Sequence, residues 1–556
     1  MSPLATLRAQ LDHVGMTGIA ALCAWIALAL LALPQLPALA RRVRASPREA
    51  TLLVALTLAA FALRRSLPWG PLSFAEAERL DALFAPVPNR CLSMCSVPVA
   101  AALLRRLGAG IDAVLRETPA AFGALGVTAA YLLARAAGMR AGAAAVAGAV
   151  VLTWPAHVHY STSLTFSVEG ATLWTLALAA ALAPADTLRF RPAVVALLAA
   201  LGVLTRPELR LLLPPLALAT AGWSWRERRI GLAVLTPLLL PYLPFLRPEN
   251  APTSDMGMIF ARRLFHDAAL CPWWWPYLAV AGLVAALARR AQRVPAAVVA
   301  VSFGLLSAVY LTHSTEANPH WGQWRYFVVL VPFVAFGVAA LADGLARGDA
   351  RWQRAVAPAL LVAAALTLAP SLRDLRRVED HIAEFDFLRA SAPRVLRDGT
   401  EVLVLTNEHD PARRHVRIEV LPRMALATRL GPLALPRGCA RSGDPRFRLR
   451  DLEVVAQRCP ETLAPDTVVY LGLSRAPERL AALEDRFTLV PIEERTVRAV
   501  VSSWIINVQA RRFAAPAAGS GQPFDPSSVA GTRAVEVPVH LGWYRLVPRG
   551  ARLAAR

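Results

Sequence analysis

The sequence predicts a mainly α-helical, polytopic membrane protein of about twelve transmembrane helices, followed by a C-terminal soluble α/β domain. Three observations predict this. The chain of 556 residues is 56% hydrophobic, with a mean hydropathy of +0.44, more apolar surface than one globular core can bury. Apolar runs recur with short charged breaks between them, the pattern of helices crossing ~30 Å of hydrocarbon. From about Ser371 the long runs stop, charge rises and short β-like runs begin.

In chain order the apolar runs are Thr17–Ala40, Thr51–Leu67, Pro119–Ala137, Ala141–Pro155, Phe166–Ala183, Pro192–Thr205, Leu209–Ala221, Ile230–Leu246, Trp273–Ala288, Val294–Thr312, Tyr326–Leu341 and Val356–Ala369. Each is read as a span of ~20 residues, several falling short of that length. The first run has a rival reading as a signal peptide, because "LPALA" ends in an A-x-A-like site. The four arginines that follow at once act as a retention signal, which favours a span. Residues 1–48 are then an extra N-terminal helix with its cytoplasmic loop, 49–370 a transmembrane domain with external loops 64–118 and 247–272, and 371–556 the soluble domain.

Every second break is dense in arginine: "RRVRASPR", "ARAAGMR", "LRFR", "WSWRERR", "RRAQR" and "DGLARGDARWQR". The positive-inside bias puts these on the cytoplasmic side. The breaks rich in carboxylates, His and Pro then fall outside, including Arg64–Thr118, "PAHVHYSTS", "TRPEL", Arg247–Pro272 and "THSTEANPHWGQWR". Arg64, Arg65, Arg105 and Arg106 are exceptions, in a loop long enough for the bias to be weak. The tail, with β-like runs "EVLVLT", "TVVYLGL", "FTLVPI" and "VEVPVHLGWYRLV" and a Pro/Gly/Ser-rich loop at Ala514–Gly531, is expected in the periplasm of a bacterial inner-membrane protein.

The formal charge of +21 comes wholly from arginine, since the chain has no lysine. These arginines punctuate apolar runs instead of lining one face, which argues against a nucleic-acid partner. Neither phosphate-loop signature is present, so bound ATP is not implied. Six cysteines are too few for a disulfide framework. Cys439 and Cys459, or two of Cys91, Cys95 and Cys271, are candidates to pair in an exported setting.

The candidate chemistry collects on the external side. Glu76, Glu78 and Asp81 lie in the first external loop near the bilayer surface, where a partly apolar setting raises a carboxylate toward the working range of a general base. On a helix Glu78 and Asp81 share a face and Glu76 points elsewhere; a solvated loop helix is the plain alternative. Glu169, in "LTFSVEGATLW", stands at the mouth of an otherwise apolar helix, either functional or an acid placed on the helix dipole. Arg206, Arg210, Arg262, Arg263 and Arg325 could hold a phosphate through forked bonds, or snorkel to lipid phosphates. His157 and His159 suit interfacial packing or substrate positioning. His313, Glu316 and His320 have the spacing of three ligands for a divalent cation, but Pro319 breaks the helix they would need, so no metal or other cofactor is expected. "CPWWWP" reads as an interfacial aromatic anchor, with sugar stacking as the other reading.

Several segments together resemble the GT-C class of membrane glycosyltransferases, in particular the branch of the protein O-mannosyltransferases and the aminoarabinose transferase of lipid A. "FAEAERL" after the helix Thr51–Leu67 is similar to the acidic motif of that class. The likeness continues through "AAYLLARAAGMRAGAAAVAGAVVLTWPAHVHYSTSLTFSVEGATLWTLALAAAL", "LTRPELRLLLPPLAL" and "WRYFVVLVPFVAFG", over about Thr51–Ala369. Where the class has Asp-Glu, this chain has Ala75-Glu76.

The resemblance implies a glycosyltransferase that moves a sugar from a polyprenyl-phosphate donor to an exported protein, lipid or glycan acceptor, with inversion at the anomeric carbon. It implies Glu76 as catalytic base, with Glu78 as the register alternative, and Glu169 as the second acid. Arg325 and Tyr326 match a segment near the donor phosphate, with Arg206, Arg262 and Arg263 as further phosphate ligands. His157, His159 and Asp81 would position substrate. Two other readings belong to other classes: a transporter or flippase, which would want ionisable groups near the membrane midplane, and a catalytically inactive scaffold of the same fold.

Overall fold

The computed structural model describes residues 3–68, 96–110, 113–162, 165–241, 274–312, 323–347, 351–378, 380–395, 402–404, 468–472, 483–500 and 536–549. They fall into two compact units, one of described residues up to Arg376 and one from Arg377 onward.

The first unit is helical. Its elements are α1 (Pro3–Ala32), α2 (Leu36–Ala45), α3 (Pro47–Ser66), α4 (Ser96–Arg106), α5 (Thr118–Ala136), α6 (Ala141–Thr153), α7 (Pro155–Tyr160), α8 (Ser167–Leu182), α9 (Arg191–Thr205), α10 (Leu213–Ala219), α11 (Trp225–Leu239), α12 (Trp274–Ala288), α13 (Arg293–Thr312), α14 (Gln323–Leu345) and α15 (Arg351–Leu375). Among the described residues four stretches are long and apolar enough to cross a membrane: Met16–Ala45, Ala113–Ala136, Val328–Leu345 and Ala355–Arg373. Five shorter apolar helices accompany them: Ala141–Thr153, Ser167–Leu182, Arg191–Thr205, Trp274–Ala288 and Arg293–Val309. The apolar run Leu209–Ala221 is not one helix. A 3-10 turn at Pro207–Leu212 passes into α10, because Pro207 has no N–H to donate and opens a tight turn at the end of α9.

Local chemistry explains several boundaries. α3 opens with a proline at its first position and Glu49 in its first turn, and ends on Arg64 and Arg65, an order that matches the helix dipole. Ser224 caps α11 in a box with Glu227, and that bond, from the Ser224 backbone first, holds the Glu227 carboxyl below its ordinary range.

Burial sorts the helices. α6, almost wholly Ala, Val and Gly, is buried on nearly every side, as are α8 and α9, the property of central helices in a bundle. Side chains such as Leu52, Val54 and Leu58 of α3, Leu232 of α11, and Val362 and Leu366 of α15 remain exposed, apolar surface that suits contact with lipid. Where α12 meets α14, Gly282 and Gly337 bring the two backbones together, the small-residue crossing that membrane helices use in place of a hydrophobic driving force.

Polar groups form two layers at opposite ends of the bundle. In one, Glu49 accepts from Arg135 Nε at 2.6 Å and from Tyr131 Oη at 2.8 Å. Asp343, fully buried, accepts from the Arg140 backbone N–H, from Gln292 Nε2 at 3.0 Å and from Arg347 Nη2 at 2.7 Å. Arg191 Nη2 donates to Glu227 at 2.8 Å and its guanidinium stacks over Trp223. The other layer holds Arg64, His157, Ser161, the Arg65–Glu117 pair and the Arg206–Glu208 pair. Among the described residues, the ion pairs Glu49–Arg135, Arg140–Asp343 and Arg191–Glu227 each join two of the arginine-rich breaks.

The second unit contains α16 (Asp380–Val395) and a sheet of β1 (Val402–Val404), β2 (Val468–Leu471), β3 (Phe487–Val500) and β4 (Glu536–Pro548) in the order β1-β2-β4-β3. β1 and β2 run parallel; the other pairs are antiparallel, with an irregularity between Pro491 and Glu493. The four β-like runs of the tail each carry one strand. Trp543 Nε1 donates to Ser391 Oγ at 2.7 Å, and Tyr470 Oη to Glu384 at 3.0 Å. These two bonds tie α16 to the sheet.

Candidate functional site

The second polar layer is built around the start of α8. Phe166, buried at the helix N-cap, has φ of +61°. A left-handed conformation costs a non-glycine residue roughly 1–2 kcal/mol, so its surroundings hold the chain in a sharp entry to the helix. Glu169 follows in the first turn, fully buried, where the helix N-terminus favours a negative charge.

Gly170 explains how Arg206 reaches the same place. A Cβ on Gly170 would lie 2.8 Å from Arg206 Cγ and 3.1 Å from Leu209 Cδ1, so only glycine lets the arginine stem pass over α8. Arg206, at the C-terminal end of α9, is 1% exposed and ion-paired to Glu208.

Across the helix, α7 carries His157. Pro155 starts this single short helix after Trp154 turns to an extended backbone. Arg64 of α3 donates from Nη2 to His157 Nδ1 at 2.9 Å, from Nε to Ser161 Oγ at 2.6 Å and from Nη1 to the Ala60 carbonyl at 2.9 Å. Because a guanidinium has only donors, Nδ1 must accept and the ring proton is on Nε2. Two glycines of α5 make room: a Cβ on Gly123 would lie 2.7 Å from Arg64 Cδ, and one on Gly126 would lie 3.2 Å from His157 Nε2. The same Cβ would lie 2.9 Å from Thr172 Oγ1. Thr172 donates to the Phe122 carbonyl at 3.1 Å and shares a face of α8 with Glu169.

His159 is buried beside this corner, with its ring edge-on to Tyr160 at 5.4 Å. Nearby, Arg116 donates to the carbonyls of Arg65 and Leu67, each at 3.1 Å, while Arg65 pairs with Glu117 at 2.6 Å. These bonds tie the end of α3 to the turn before α5.

Of the residues expected to act, Glu169, Arg206, His157 and His159 therefore lie in one polar layer, brought together by α7, α8 and α9. Glu76, Glu78, Asp81, Arg262 and Arg263 lie outside the described residues, as do His313, Glu316, His320 and the cysteines other than exposed Cys23. Arg325 and Tyr326 fall in the first turn of α14, their side chains likewise outside. Among the described residues no three His, Cys, Asp or Glu gather as metal ligands. Sequence reasoning passed over Arg64, Ser161 and Thr172. The signal for Arg64 was present, since it breaks the charge alternation. Gly123, Gly126 and Gly170 gave none, because their meaning lies in which helix passes them.

No known protein family matches this chain by sequence, and no curated protein matches it. Solved structures do. ArnT from Cupriavidus metallidurans bound to undecaprenyl phosphate is similar at 14% identity with a TM-score of 0.52, over 81% of this chain and 96% of that one. The apo state of the same protein matches at 15% identity with a TM-score of 0.53, over the same shares. At such identity the likeness is one of fold: over most of its length this chain has the ArnT-like, GT-C arrangement of helices.

Proposed function

We propose that the chain is a membrane glycosyltransferase that takes a sugar from a polyprenyl-phosphate carrier and places it on an exported acceptor. The observation that carries this reading is the fold shared with a protein bound to undecaprenyl phosphate, in a chain whose buried Glu169, Arg206 and His157 collect at one end of the bundle. A transporter would want such groups near the midplane.

In this reading the carrier's tail lies in the bilayer and its sugar phosphate reaches the external surface, where no nucleotide sugar is at hand. Glu76 takes the proton of the acceptor hydroxyl as that oxygen attacks the anomeric carbon, with Glu78 as the alternative base. The bond to the phosphate oxygen breaks on the opposite side, so configuration inverts. Arg325, Tyr326 and Arg206, with the Arg262–Arg263 pair, bind the departing phosphate and offset its growing charge. Glu169 orients the acceptor or the base, and His157, His159 and Asp81 position the sugar. No metal is required in this scheme. The orientation follows from the arginine-rich breaks: they face the cytoplasm of a bacterial inner membrane, and the site and C-terminal domain face the periplasm.

The test is sugar transfer in proteoliposomes supplied with a lipid-linked sugar. Glu76→Gln should lose most turnover while still binding undecaprenyl phosphate. Unchanged turnover removes Glu76 from the role, and absence of any transfer by the native protein across a panel of lipid-linked sugars removes the activity.

A further inference from the structure

The corner where α9 and α11 begin brings exposed aromatic rings and exposed arginines together on the surface. Phe190 is 60% exposed, and its φ of +55° lies in the left-handed region. A glycine or asparagine takes that conformation at lower cost, so a phenylalanine held outward there asks for a reason beyond capping α9. Trp225, the first residue of α11, is 70% exposed. Arg189, Arg226 and Arg229 flank these two residues in the chain, and all three are exposed.

The corner is held as one piece. Gln35, just past α1, donates from Nε2 to the Arg189 carbonyl at 2.7 Å and accepts from the Arg189 N–H at 3.1 Å. Arg191 reaches Glu227 at 2.8 Å, and a Cβ on Gly231 would lie 3.7 Å from the Pro192 carbonyl. Glu227 and Gly231 therefore mark the face of α11 that meets α9, and Trp225, Arg229 and Leu232 share the opposite face. Leu232 is 56% exposed, an apolar side chain suited to hydrocarbon. Trp225 stands two turns, ~10 Å, toward the helix start, the level at which aromatic residues meet lipid headgroups. The positive charge beside it is not offset. Glu227 is taken by Arg191 and Ser224, which leaves Asp186, exposed in the loop before Phe190. Among the described residues no carboxylate pairs with Arg189, Arg226 or Arg229, while Arg228 donates to the Ala221 carbonyl.

We propose that this corner is a docking surface for anionic phospholipid of the host membrane. Arg189, Arg226 and Arg229 bind headgroup phosphates by charge-assisted bonds, and Phe190 and Trp225 seat in the boundary between headgroups and acyl chains. Unpaired guanidinium groups beside exposed aromatic rings match a surface that is negatively charged outside and oily within. A purely lipid-facing patch has no use for the arginines, and a purely aqueous one has none for the rings. The proposal rests on the membrane reading of the helical unit and is independent of sugar transfer.

The experiment equilibrates the full-length protein in mixed micelles with equal amounts of phosphatidylglycerol and phosphatidylcholine, and reads the retained lipid by native mass spectrometry. The native protein should retain the anionic lipid over the zwitterionic one roughly tenfold, and less so as salt rises. Arg189→Gln, Arg226→Gln and Arg229→Gln should each lower that preference roughly two- to fivefold, and the triple variant should abolish it. The same three positions changed to Lys should keep most of it, since the charge remains. Removing Arg41, Arg44 and Arg48 instead, an equal number of exposed arginines at the junction of α2 and α3, should leave most of the preference, which separates this corner from a general effect of net charge. Phe190→Gly relieves the left-handed backbone, so it should keep or raise the melting temperature in detergent while weakening retention of the anionic lipid at least twofold. Equal retention of the two lipids by the native protein, as a surface made for an acidic protein partner would give, overturns the proposal. So does a preference that survives the triple Gln variant, that falls as far in the Arg41, Arg44 and Arg48 variant, or that is unchanged in Phe190→Gly.

Discussion

Gly337 of α14 touches the backbone of α12 at Ala279, so closely that a Cβ added to it would lie 2.5 Å from the Ala279 carbonyl oxygen and 2.7 Å from its Cα. Neither atom can turn aside as a flexible side chain would. Gly337→Ala should therefore force the helices apart and destabilise the protein by roughly 1–3 kcal/mol, read as a lower melting temperature in detergent. Gly304→Ala on α13, where a Cβ meets nothing within 4 Å, should leave the temperature unchanged or raise it slightly.

Asp343 gathers Arg140, Gln292 and Arg347 around a carboxylate with no exposure. Asp343→Ala leaves buried Gln292 without its acceptor at the junction of α6, α12 and α14, while the half-exposed arginines turn to water, and should cost about 1–3 kcal/mol. Arg347→Gln removes one half-exposed partner of several, and should cost under about 1 kcal/mol. Denaturant unfolding of the two variants side by side reads the difference.

Glu49 precedes the apolar part of α3, and its bond to Arg135 holds its carboxyl below the ordinary 4.5. A carboxyl depressed in the folded state adds stability above its unfolded value and loses it as pH falls through the folded value. Glu49→Gln should accordingly flatten the acid limb of a stability-against-pH profile below about pH 4.5. The change should stay under about 1 kcal/mol, because both partners are about a third exposed.

Gly170→Ala would press a methyl group onto the buried stem of Arg206. Overpacking should lower the melting temperature, and on the proposed mechanism sugar transfer per folded protein should fall at least tenfold, since a small displacement of a charged group in such a site is costly to rate. Equal turnover in the variant would separate Arg206 from the chemistry.

Much of this architecture can be read from the chain, for identifiable reasons. Alternation of arginine-rich and carboxylate-rich breaks groups the loops because a bilayer sorts charge by side, and the ion pairs Glu49–Arg135, Arg140–Asp343 and Arg191–Glu227 join members of one group. Glu169 stands out because an acid at the mouth of an apolar helix has few neutral explanations. The exception to the pattern, Arg64, marks the buried layer itself. Which helices touch was not legible, since Gly123 or Gly337 in isolation says only that some neighbour comes close. Pro207 was visible, yet the 3-10 turn and the short α10 into which the apparent span Leu209–Ala221 divides are not spelled out by its apolar composition.

Between Glu49 and Arg65 there are sixteen steps along one helix, about 24 Å at ~1.5 Å each, and both ends are fixed by ion pairs to neighbouring helices. An average bilayer offers ~30 Å of hydrocarbon. Read as a membrane span, as the apolar run Thr51–Leu67 is in the sequence, α3 is a few Å shorter than that hydrocarbon, and lipid beside it is expected to thin at a fraction of a kcal/mol per Å.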